Sequence, residues 1–235
     1  MVELGGQIVD QDLRKAPLTE AVIADTDFLR CRLDGAYLFG AVFQRGSVVE
    51  CGVRRADLRD ALIVDTRWQS IDLAGARTNR LAAERTTFEG CTFPPLNHVE
   101  FRECSFVGCR FTGRLSDVQF LGGGVLQDVV FSSDDFRFAE FHGMEFESVT
   151  FPESGRLIVI PRNFRAVARR ADVLSTVRRD EIGKTFRRML SAQSLQRPEK
   201  SETAGWVLAK RDWDDDELAD FAAEILYAAQ AEIAG

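Results

Sequence analysis

The residues able to do chemistry are few and poorly arranged for it. The chain holds two histidines, His98 and His142, and five cysteines, Cys31, Cys51, Cys91, Cys104 and Cys109. It has no HxxxH, CxxC or glycine-rich phosphate loop, and "LGGGV" at 121–125 lacks the lysine and Ser/Thr of a nucleotide cradle. Asp134 with Asp135, and Glu145 with Glu147, form close carboxylate pairs, but outward acids of this kind are mostly solvated. The run Asp214, Asp215, Asp216, Glu217 lacks the glycine and later glutamate of a calcium loop and reads as a helix start, where acids complement the dipole. The pattern argues for a protein that is not an enzyme, with no cofactor and no metal.

The positioning elements are unusual. The stretch "TDFLRCRLDGAYLFGAVF", Thr26 to Phe43, places Phe28, Leu33, Leu38 and Phe43 at intervals of five. Neither a helix, with period 3.6, nor a strand, with period two, can hold such a stripe on one face. The register extends from Ile8 to Phe93 with only Thr78 polar among 18 centres. Three extra residues then enter at "PPLNHVE", and the count resumes from Phe101 to Phe151, with only Ser116 polar among 11 centres. Small residues sit two before most centres, and all five cysteines fall in that column, where a free thiol acts as a compact apolar filler. One large and one small apolar residue per five cannot form a core alone, so the units must stack on one another.

Units such as "ADLRD" (56–60), "IDLAG" (71–75), "CTFPP" (91–95) and "AEFHG" (139–143) resemble those of the pentapeptide-repeat proteins over residues 6–155. The resemblance implies an all-β solenoid, a right-handed quadrilateral β-helix with four quintets per coil and a helical C-terminal appendage. Twenty-nine units then make about seven coils, stacked at about 4.8 Å. The three extra residues predict a short projecting loop near 94–100, in which Pro94, Pro95 and His98 are candidates for contact with a partner. Gly122 to Gly124 predict a bulge or bend.

Residues 156–235 read as a separate helical region for capping or dimerisation. Phe164, Val167, Leu174 and Phe186 recur at helical spacing, as do Leu218, Phe221, Ile225 and Leu226. A break is expected near Asp180 to Gly183, and a polar link at Pro198 to Thr203. Residues 156–197 carry 11 Arg and Lys against 3 acids, and 198–235 carry 3 against 10, so the two segments can pair with each other. A helix is also expected to cover the last Phe-rich coil. By resemblance, these helices make a homodimer.

Net charge is −7, which argues against a protein that coats nucleic acid, and no apolar run approaches a membrane span. Nothing at the N-terminus marks the chain for secretion, so a cytoplasmic location follows by default. Residues 94–155 hold 10 acids against 4 bases. Several pentapeptide-repeat proteins are DNA mimics that bind gyrase or topoisomerase IV and confer antibiotic resistance. The resemblance therefore implies a type II topoisomerase as partner, with Asp134, Asp135, Glu140, Glu145 and Glu147 as the mimicking charges. Two alternatives stand beside it: a rigid scaffold whose helices bind another protein, and nucleic-acid binding by the arginine-rich helices.

Overall fold

The computed structural model describes residues 3–192, 203–213 and 215–234. Part of the expected polar link, 198–202, and Asp214 of the expected helix start lie outside the described residues.

The quintets build a parallel β-solenoid of about seven turns. Its four sides can be followed through the inward centres. Side A runs Leu13, Leu33, Val53, Leu73, Phe93, Phe111, Phe131 and Phe151, and side B begins Leu18, Leu38, Leu58 and Thr78. Side C runs Ile23, Phe43, Ile63, Ala83, Phe101, Phe120 and Phe141. Side D runs Ile8, Phe28, Val48, Trp68, Phe88, Phe106, Leu126 and Phe146.

Most corners are turned by the second residue after a centre, which takes a left-handed conformation, as at Lys15 (φ 57), Glu20 (φ 56), Asp25 (φ 51) and Arg30 (φ 53); the side A corners after Phe93, Phe111 and Phe131 are not. On sides A and B a hydrogen bond such as Ala16 N–H to Leu13 C=O closes a type II turn. In the first four coils sides C and D use short strands instead, and the later coils carry strands on sides A and B as well.

The expected loop near 94–100 does not exist. Leu96–Arg102 is a strand with Leu96, Val99 and Phe101 buried, paired to coils on both sides. Leu96 is itself a side centre, followed on side B by Leu115 and Phe136. The change of register is therefore a loss of two residues at the corner after Phe93, not a gain of three. Ala83 pairs with Phe101 after 18 residues where earlier coils take 20. Pro94 follows Phe93 directly into the wall and is buried.

The next coil also differs from expectation: Leu115 and Phe120, both fully buried, are the centres instead of Ser116 and Leu121. The register is recovered at Gly122 to Gly124. All three have positive φ, and a Cβ on Gly124 would lie 2.0 Å from the Cys104 carbonyl oxygen. The expected bulge is real, and only glycine fits its closest approach.

The core is an aromatic column. Successive side A rings stack at one-coil spacing, Phe93–Phe111 at 4.7 Å, Phe111–Phe131 at 4.8 Å and Phe131–Phe151 at 4.9 Å, and Phe120–Phe141 do so at 4.6 Å. These separations match the strand spacing of a sheet, so the ladder sets the ring distance.

An antiparallel ribbon of Leu157–Ile160 and Trp206–Ala209 closes the aromatic end. Its side chains alternate: Leu157, Val159, Val207 and Ala209 join the solenoid core, while Ile158, Ile160, Trp206 and Leu208 join a second core built with the helices. The ribbon, and not a helix as expected, covers the last coil. The helices α1 (Phe164–Leu174), α2 (Glu181–Leu190) and α3 (Asp216–Ala234) lie on its outer face. The break between α1 and α2 spans Ser175 to Asp180, just ahead of the expected Asp180 to Gly183, whose last three residues form the first turn of α2. Asp180 caps α2 by accepting the Gly183 N–H at 3.0 Å, and Asp215 caps α3 by accepting the Glu217 and Leu218 N–H groups. Tyr227 on α3 guards the open edge of the ribbon, its hydroxyl meeting the Val159 N–H and the Leu157 C=O.

Candidate partner-binding surfaces

The corners of the first four coils carry a recurring device. An arginine sits one coil above an aspartate in the same left-handed corner and forks onto its carboxylate: Arg30 on Asp10, Arg45 on Asp25, Arg80 on Asp60 and Arg85 on Asp65. The spacing is 20 residues each time, one coil, so the sequence period places opposite charges in register. The arginine hydrogen bonds hold all four carboxyls below the usual carboxylate range. This part of the rod neutralises its own charge.

The five acids expected to mimic phosphates do not form one face. Asp134 and Asp135 lie where side A meets side B, Glu140 lies on side C, and Glu145 and Glu147 lie on side D, so they ring the last complete coil. Most are engaged nearby. Asp134 accepts from Ser154, which lowers its pKa, and stands 3.7 Å from Arg156. Asp135 pairs with Arg211, Glu140 meets His142 at 2.9 Å, and Glu145 accepts from the Thr203 hydroxyl at 3.1 Å. Glu147 is exposed on side D, beside Asp128, whose N–H bonds to the Glu147 carbonyl. Asp128 was not singled out from the sequence, although the five-residue count already had the register right there; it sits at a corner 19 residues before Glu147, not in the same repeat position. Among the late acids Asp128, Glu145 and Glu147 thus share side D, while Glu100 and Glu140 share side C beside Arg102 and His142.

The proline–histidine candidates separate in the same way. Pro94 is buried, while Pro95 is exposed and lies over Gly113 of the next coil, where a Cβ would come within 2.4 Å of the proline ring. His98 is exposed at a left-handed corner, 3.3 Å from Asp117.

In the helical region Phe164, Val167, Phe186, Leu218, Phe221 and Leu226 are buried, and Leu174 and Ile225 are partly buried, all within the second core of the single chain. The basic and acidic segments do pair, Arg170 with Glu232 and Arg178 with Glu217, while Arg178 also meets Asp180 within its own segment. Asp212 reaches back to the rod, accepting the Phe138 N–H at 2.7 Å, and burial raises its pKa.

The cysteines all sit in the inward small column as free, buried thiols. Burial pushes the Cys51 thiol up to about 11 and the Cys104 thiol up to about 12, and the contact with Cys109 together with burial raises Cys91. Thiols so raised are poor nucleophiles. Among the described residues no three metal-ligating side chains converge, and no helix is long and apolar enough to cross a membrane.

No family model and no curated protein matches the sequence. Among solved structures the chain is similar to two trypsin-treated variants of QnrB1, a plasmid-mediated fluoroquinolone resistance protein. One is 18% identical over 63% of this chain and 84% of that chain, with a TM-score of 0.41. The other is 17% identical over 65% and 93%, with a TM-score of 0.42. It is also similar to the pentapeptide repeat protein Rfr23 from the cyanobacterium Cyanothece 51142, at 13% identity over 58% and 88%, with a TM-score of 0.31.

Proposed function

We propose that this pentapeptide-repeat solenoid is a non-enzymatic, cytoplasmic protein-binding rod, and that it binds a type II topoisomerase, DNA gyrase or topoisomerase IV, as a stiff mimic of DNA. The partner class comes from the repeat family that the sequence resembles. The observation that supports it is the uneven use of charge. The early coils cancel their acids with forked arginines, whereas residues 94–155 keep 10 acids against 4 bases. Of these, Asp128, Glu145 and Glu147 share side D and Glu100, Glu103 and Glu140 share side C; on side C Arg102 pairs with Glu100 and His142 meets Glu140, so side D is the docking face in this reading. A surface shaped for phosphates attracts a rigid negative edge, and salt weakens the attraction.

The test is gyrase supercoiling, with and without a poison, at two salt concentrations. The expected result is an effect at micromolar protein in low salt that fades in high salt. It should weaken when Asp128→Asn, Glu145→Gln and Glu147→Gln are combined. No effect in low salt removes the topoisomerase reading.

A second reading, docking or homodimerisation through the helices, is favoured by exposed apolar side chains there. Val177 is 83% exposed, with Val173, Tyr227 and Ile233 also open to solvent. The eight expected residues are taken up inside the chain, so a helical interface would use these four instead. Light scattering of the full chain and of Val177→Asp decides it: a monomer in both cases ends the dimer.

A further inference from the structure

One corner of the rod breaks the pairing rule of the others. On side A the left-handed corner column reads Lys15, Gly35, Arg55, Gly75, with no acid in it. Asp12, Arg14, Lys15, Arg32, Asp34, Arg54 and Arg55 line an open groove of about 790 Å³ around Gly35. Two of the groove's five cations are already engaged: Arg14 forks onto Asp12, and Arg54 stands 3.4 Å from Asp72. Asp34 accepts the Arg54 N–H at 3.1 Å. The side chains of Lys15, Arg32 and Arg55 make no ion pair or hydrogen bond among the described residues.

We infer that this groove is a binding site for an oligophosphate of nucleoside triphosphate size. Glycine at position 35 leaves the middle of the corner column without a side chain, so Lys15, Arg55 and Arg32, the last close enough to Asp12 to help lower its pKa, surround a depression instead of filling it. They come from three successive coils, a span of about 10 Å at the spacing of a sheet. Five cations less the two lining acids leave +3, and Asp72 beside Arg54 lowers this to +2, so a triphosphate chain, with about four negative charges at neutral pH, is attracted and only partly neutralised. Guanidinium groups grip phosphate oxygens two at a time, and both acids of the lining already accept hydrogen bonds from neighbouring groups, so their repulsion of an anion is reduced. An anion site on a protein of net charge −7 is local chemistry, not a consequence of overall charge.

The experiment is calorimetric titration of the full chain with inorganic tripolyphosphate at about 20 mM and about 200 mM salt. Binding is expected in low salt and should weaken in high salt. It should also fall at least about tenfold in the Arg32→Gln, Arg55→Gln double variant, since two charge-assisted contacts are lost. Arg45→Gln, which removes a forked arginine at another corner, should bind like the parent. Lys15→Gln supplies a second, single-site variant should the double variant melt early. The inference is overturned by no binding in low salt, by unchanged affinity in the groove variants, or by an equal loss in Arg45→Gln. A single-stranded oligonucleotide that binds where tripolyphosphate does not also overturns it, since the occupant would then be a nucleic acid.

Discussion

Trp68 sits 1% exposed in the side D column, between Val48 and Phe88 and against Phe43 of side C, and its indole Nε1 has no hydrogen-bond partner. An unpaired buried donor costs about 1–3 kcal/mol. Trp68→Phe removes that donor while losing some packing, so the two effects oppose each other and stability should change by no more than about 1 kcal/mol in a urea titration. Phe88→Ala, in the same column and with no such compensation, should cost about 3–5 kcal/mol. The forked aspartates give a second test. Asp10, Asp25, Asp60 and Asp65 have folded pKa values below their unfolded ones. Their stabilisation is therefore complete above the usual carboxylate range, near pH 4, and is lost as the pH falls through the lowered folded values. The urea midpoint should drop on acidification below about pH 4, and less so in Asp25→Asn combined with Asp65→Asn. The five thiols should stay unreactive toward a disulfide reagent at mildly alkaline pH until denaturant is added. Their placement was legible in the sequence because each falls two residues before a centre. The arginine–aspartate forks were equally written in the 20-residue period, but they emerge only when residues one coil apart are compared.

At the scale of elements, the five-residue period was readable over most of the chain because each quintet is one side of a coil. It misled where residues are lost. A step of eight from Phe93 to Phe101 is five plus three or ten minus two, and counting alone cannot choose between them. Burial of Leu96 and Val99 shows that it is two sides with a shortened corner. The hint available in the sequence was the apolar pair itself, since a solvent loop has no need of Leu96 and Val99 at inward spacing. The same counting chose Ser116 and Leu121 over the adjacent Leu115 and Phe120, although the neighbours are the larger apolar residues. Gly124→Ala should be among the most damaging of small substitutions, because its Cβ would collide with the Cys104 backbone and its φ of +151 suits only glycine. A large drop in melting temperature, or failure to fold, is expected; a melting curve like the parent's contradicts the collision. The two-faced ribbon was the element least legible in advance. "LIVI" shows no alternation because both of its faces are buried.

For the whole molecule, the ribbon joins two cores that would otherwise end in open apolar faces. Val207→Asp puts a charge against the last aromatic coil. It should expose that face and produce association detectable by size-exclusion chromatography, while leaving most of the solenoid's circular dichroism intact. A monomer with the parent's melting temperature would show that the ribbon is not needed as a lid. The two coils near Phe93 and Gly122 carry a wider consequence. The rod drops two residues at the corner after Phe93 and one after Phe111 and regains only one at Gly122 to Gly124, yet Phe88, Phe106, Leu126 and Phe146 remain collinear on side D. Orientation is thus conserved by the number of bends completed and not by chain length consumed, as in a spiral staircase whose landings stay aligned when one step is cut short. Lineages of such rods can drift in length without rotating their working edge, and any comparison that slides one against another at a fixed interval will misalign the faces that matter.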